Sequence, residues 1–206
     1  MPLTKLLVGT LVLIGLAIPA MAADFSDPTW PCVQRKVDKL SLGLMWPLPV
    51  DPDFSPEDDV IEQNIAALVE TLALRRIELD DAKPSVDAFA ELHDGDATLL
   101  SQVFAEVFKK LSQRRTEIIE GIGSFSLGQI ALAEKIDGTR LEMNGLMEAK
   151  EPDFDRVDAL EEQLDWDQTI YSDRQRSITY LCETPVLLEQ RLYGVAQILQ
   201  AAVRDE

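Results

Sequence analysis

The stretch that decides the fold is residues 97–150, ATLLSQVFAEVFKKLSQRRTEIIEGIGSFSLGQIALAEKIDGTRLEMNGLMEAK. Phe104, Phe108, Leu111, Ile118, Ile122, Phe125, Leu132, Ile136, Met143 and Leu146 keep one alternating rhythm of three and four, with polar residues at the skipped positions Arg115, Gln129 and Thr139. A 3.5-residue period held over about six heptads is the pattern of a coiled-coil seam. Gly121, Gly123 and Gly128 interrupt the composition without shifting the phase. A glycine inside a helix costs about 1 kcal/mol relative to alanine. The spacing therefore predicts a weakened but continuous helix, roughly 80 Å long at 1.5 Å per residue.

Downstream, Glu151-Pro152-Asp153 turns the chain, and Val157, Leu160, Leu164, Tyr171, Ile178 and Leu181 open a second helical pattern. Two cues conflict at Thr184-Pro185. The pair resembles a helix start, yet the rhythm runs through it in phase to Leu188, Leu192, Val195 and Leu199. A chain that folded back there would have no reason to preserve phase, so the prediction is one kinked helix missing a single backbone hydrogen bond at Pro185.

Upstream, Ser55-Pro56-Glu57-Asp58 carries an N-cap, a first-turn proline and two acids. Ile61, Ile65, Leu68, Leu72 and Leu79 then mark an apolar face that predicts a helix from 57 to 80. Lys83-Pro84 would stop it, Ser85 would cap a short helix over Val86–Leu92, and Asp96 would cap the long one. The expected fold is all-α: an elongated, coiled-coil-like antiparallel hairpin with a three-helix base. The competing arrangement bends at Gly121–Gly128 and at Pro185 to make a compact four-helix bundle.

Residues 23–55 lack periodicity and form an irregular N-terminal strap. Trp30, Val33, Leu40, Leu42, Leu44, Met45 and Trp46 are too apolar to stay in water, so the strap should lie across the base. Cys32 and Cys182 are the only cysteines. A disulfide between them would staple the strap to the returning helix. In the competing reading, Trp30 and Trp46 form an exposed recognition segment.

Residues 1–22 read as a signal peptide. Lys5 precedes a charge-free run from Leu6 to Ile18, and Ala20-Met21-Ala22 supplies the small residues for cleavage after Ala22. The run is short for a bilayer span of about 20 residues. The expected product is periplasmic, with no stable membrane insertion, and residues 23–206 make one helical domain. The balance of 37 acidic against 19 basic residues disfavours nucleic acid as a partner and fits solvated helix faces.

Catalytic and cofactor motifs are not found. His93 is the single histidine, which leaves one possible base for a nucleophilic triad and none of the paired E-x-x-H motifs of a di-metal bundle. Ser124–Gly128 has serine where a nucleophile elbow needs its first glycine. No phosphate-binding glycine loop is present. No metal or cofactor site is assigned. The expectation is a non-enzymatic exported protein working through an unnamed protein partner, as adaptor, assembly factor or accessory subunit. Its candidate contacts are the tip, Met147 to Phe154, and the strap tryptophans Trp30 and Trp46. The seam positions Arg115 and Gln129 are open to a helix of another chain. The alternative is an acidic protein that binds a cation or small ligand.

Overall fold

The computed structural model describes residues 27–56 and 58–204. The predicted signal segment and its cleavage after Ala22 lie outside the described residues. The fold is all helical: α1 (Asp59–Ala73), α2 (Leu79–Leu92), α3 (Ala97–Met147) and α4 (Phe154–Gln200). A single 3-10 turn, Leu42–Leu44, interrupts the strap, and no strand forms among the described residues.

The two long helices are uninterrupted. Asp96 caps α3 by accepting from the backbone N–H groups of Thr98 and Leu99, at 2.7 and 2.9 Å. Asp153 caps α4 through Arg156 N–H at 3.0 Å. Pro185 stays inside α4, and Thr184 turns its hydroxyl back to the Tyr180 carbonyl at 2.9 Å instead of capping a new helix. Contacts from Arg115 to Glu189, Gln129 to Tyr171, and Glu142 to Arg156 order the two helices antiparallel.

The region before α3 departs from expectation in three places. The first helix begins at Asp59, with Asp58 as its cap accepting from Val60 N–H at 2.8 Å. Ser55-Pro56 remains part of the strap, because Phe54 packs onto the core and holds the chain extended for longer. That helix also stops at Ala73 rather than running to 80. Arg191 on α4 is responsible: its Nε donates to the Leu72 carbonyl at 2.8 Å and its Nη1 to the Ile77 carbonyl at 2.5 Å. Those oxygens gain a charged donor where the helix would have supplied a backbone N–H. Finally, Pro84 lies within α2 instead of stopping a helix. Ala82 and Val86, both fully buried, carry the apolar face past it, and Lys83 bridges to Asp87 one turn on at 2.7 Å.

The base therefore holds four helices rather than three. One core joins Leu68 and Leu72 of α1, Val86 and Phe89 of α2, Phe104, Val107 and Leu111 of α3, and Leu188, Leu192 and Leu199 of α4. Gly95, in the turn between α2 and α3, has φ of 69°, a left-handed value that favours glycine. Its carbonyl accepts from Arg204 N–H at 3.1 Å, which ties the last turn of the chain to the base. A Cβ there would sit 2.6 Å from Arg204 Cγ. Gly95→Ala is expected to lower stability by about 1–3 kcal/mol. Gly43→Ala, where a Cβ meets nothing within 4 Å, should change little. Urea unfolding midpoints of the two variants check this.

Candidate interaction surface

The seam positions Arg115 and Gln129, open in the sequence to a helix of another chain, are engaged within this one. Arg115 is 3% exposed. Its Nε donates to Glu189 at 2.8 Å and its Nη1 to the Asp38 carbonyl at 3.5 Å. Gln129 donates to the Tyr171 carbonyl at 3.2 Å, and Thr139 to its own helix at Lys135. Lys135 reaches both oxygens of Asp167, at 2.8 and 3.1 Å. Arg115 and Gln129 thus span the seam to α4, while Thr139 turns back to its own helix.

The strap tryptophans are likewise taken up internally. Trp46 is 2% exposed, stacks on Phe104 with ring centroids 4.8 Å apart, and donates its Nε1 to Ser101 at 3.0 Å. A buried indole needs a partner for its N–H, and Ser101 provides it. Trp30 is also buried and donates to the Gln34 carbonyl at 2.6 Å. With Ile119, Ile122, Cys32 and Cys182 it forms a second, smaller core. Cys32 and Cys182 are joined by a disulfide across 150 residues of chain. Asp27 starts this clasp. Hydrogen bonds from the Thr29 hydroxyl and N–H, reinforced by Lys36, hold its carboxyl low, at about 2.

Large apolar side chains stay exposed on the strap (Val33 and Leu44, which the sequence placed against the base), in the base (Val60, Leu92, Tyr193) and along the distal half of the α3–α4 pair. Met147 is 51% exposed and Phe154 is 61% exposed, on either side of the tip turn. Leu141, one to two turns before Met147 on α3, is also exposed. Sequence reasoning missed Trp166, the one tryptophan in water, at 65% exposure, with Ile170 half exposed one turn on. The signal was available as phase: the seam passes through Leu164 and Asp167, so residue 166 falls on the opposite side of α4.

A groove of about 530 Å³ beside the strap, α1 and α3 is lined by Asp51, Glu70, Glu106, Lys109 and Lys110, with Lys110 paired to Glu70 at 2.5 Å. A groove of about 340 Å³ between α3 and α4 is lined by Ala133, Ile136, Asp137, Arg140 and Tyr171, and its one carboxylate, Asp137, is bonded to Arg140 at 3.3 Å. His93 ends α2, with Asn64 Nδ2 3.5 Å from its Nε2 and its ring tilted against Phe89. Among the described residues, no three His, Cys, Asp or Glu side chains gather in a metal-holding group, and no helix is long and apolar enough to cross a membrane. No protein-family model, curated protein or solved structure matches the chain.

The disulfide closes a loop of 150 residues, and the chain-entropy model values such closure at about 5 kcal/mol. Reduction, or the pair Cys32→Ser and Cys182→Ser, is expected to lower the urea midpoint by about 2–5 kcal/mol equivalent. It should also abolish the near-ultraviolet dichroism of Trp30. Unchanged midpoints with and without reductant would count against a stapling role.

Proposed function

We propose that the chain is an exported, non-enzymatic helical protein that acts through protein–protein contacts, as adaptor, assembly factor or accessory subunit, with the tip as a contact point. The observation that carries this reading is the placement of Leu141, Met147 and Phe154 in water at the far end of a two-helix pair. Large apolar side chains grouped at one end cost solvation that a partner surface would recover. The helices keep them far from the core that sets the fold. The periplasmic part of the reading rests on the signal-like N-terminus, with the disulfide a companion argument, since such bonds persist in oxidising compartments.

In-cell crosslinking followed by purification and mass spectrometry tests the contact. A stoichiometric partner is expected with the native chain and is expected to be lost in Met147→Glu/Phe154→Glu, with helical dichroism unchanged. Equal capture by both, or a monodisperse monomer with no specific partner, overturns the reading. The export half is tested separately: the mature protein in the periplasmic fraction should begin at Ala23, and a cytoplasmic chain retaining residues 1–22 would remove it.

A further inference from the structure

The outer face of α4 carries an apolar ridge with nothing over it. Glu162, Trp166 and Ile170 are spaced by four, so they align along one stripe of the helix. Leu160, Leu164 and Asp167 are buried and face α3. In the base the same helix pair is covered by α1 and α2, which bury Leu188, Leu192, Val195 and Leu199 of α4 while Leu187 and Tyr193 stay exposed. Along the distal half no other described residue supplies such cover, and Trp166 and Ile170 are exposed.

The charge around that ridge is one-sided. Residues 157–173 hold six carboxylates and no Lys or Arg. Asp167 is paired with Lys135 and Asp173 with Arg176. Asp158, Glu161, Glu162 and Asp165 take part in none of the ion pairs among the described residues. Asp158 and Glu162 are four residues apart, as are Glu161 and Asp165. Like charges at that spacing oppose helix formation. Among the described residues, the helix therefore carries repulsions that no cation relieves, beside an exposed indole.

We infer that this face docks a basic amphipathic helix of a partner protein, laid alongside α4 as a third helix. The inference rests on the protein-contact reading above and names the chemistry of the partner. Its apolar side chains would cover Trp166 and Ile170, and its Lys or Arg side chains would meet Asp158, Glu162 and Asp165 on or flanking that stripe, with one cation over the indole face. The backbone of α4 is bonded within its own helix, so the surface offers no sheet edge to an extended peptide. A second copy of this chain is opposed by charge, since residues 130–170 carry twelve acidic and four basic side chains. The same excess repels anionic surfaces and nucleic acid.

The probe is a short amphipathic helical peptide of leucine and lysine, with its leucine–glutamate counterpart as control, titrated into the disulfide-bonded protein. Calorimetry is expected to show binding of the lysine peptide alone, with a blue shift of Trp166 emission. Trp166→Ala and the reversal Glu162→Lys/Asp165→Lys should each weaken binding by about tenfold or more, as loss of an aromatic or charged anchor does. Glu91→Gln/Glu120→Gln, which removes two carboxylates elsewhere, should not. All these positions are exposed, and helical dichroism verifies that each variant folds. Binding that survives Trp166→Ala, equal binding of the glutamate peptide, or Trp166-dependent self-association in sedimentation overturns the inference. The tip variant Met147→Glu/Phe154→Glu should still bind the peptide. No peptide binding alongside a tip-dependent partner in cells removes the docking face and leaves the tip reading standing. Trp166-dependent peptide binding without any tip-dependent partner does the reverse.

Discussion

The structure depends on the register between α3 and α4, and that register is set by polar side chains in an apolar seam. A repeating seam of leucine and isoleucine tolerates slippage by a heptad, because each knob finds an equivalent hole. Arg115 and Gln129 on α3 and Asp167 on α4 do not tolerate it. In the observed register they meet Glu189, the Tyr171 carbonyl and Lys135. A slip of seven residues on α4 would set Arg115 against Cys182 or Ala196, and Lys135 against Leu160 or Arg174. A buried charge left without its partner costs more than the pair itself contributes. The ion pairs therefore act by excluding the wrong alignments, and the apolar positions provide the cohesion.

From that alignment the rest follows along α4. Cys182 lies under the strap beside Ile119 and Ile122, where Cys32 can reach it. Seven residues on, Glu189 holds Arg115. Arg191, nearly buried at 7% exposure, takes the Leu72 and Ile77 carbonyls and so ends α1 and shapes the turn into α2. Burial pushes its guanidinium below the ordinary value, and the nearby Glu78 carboxylate opposes the shift. Gly194 lets Leu79, the first residue of α2, approach the helix: a Cβ there would meet Leu79 Cδ1 at 2.3 Å. The strap, both short helices and the long partner are all positioned by one stretch of α4, residues 182–194.

How much of this was legible in the sequence depends on how far each signal travels along the chain. The seam was legible because period and phase are local, and they carried both long helices through three glycines and Pro185. The Asp96 cap was legible for the same reason. The end of α1 was not. Nothing between Leu72 and Leu79 announces it, and the donor that terminates the helix lies 119 residues away. The start of α1 was misplaced because Ser55-Pro56 satisfies the local rules for a helix cap, while Phe54, anchored on the core, overrides them. Trp30 and Trp46 were legible as core from their apolarity, and the partners of their N–H groups, Gln34 and Ser101, were not. Trp166 lay in plain view as an off-phase residue, yet the eye follows the seam rather than the side facing away from it.

The distal part of the α3–α4 pair is more sparsely buried than the base. Beyond Ile122, α3 buries only Ser126, Ile136 and Thr139, and before Cys182, α4 buries only Val157, Leu160, Leu164 and Asp167. Two helices can bury one stripe each, so the other sides of the pair face water whatever their composition. A sequence selected only for solubility would fill those sides with mixed charges and pair them one turn apart. Instead, α4 places carboxylates without counter-ions around an indole. That pattern weakens the isolated helix and adds nothing to its packing. It is consistent with a surface whose electrostatics are completed by a cation from another molecule, on a segment that the polar register locks in place without needing that molecule to fold.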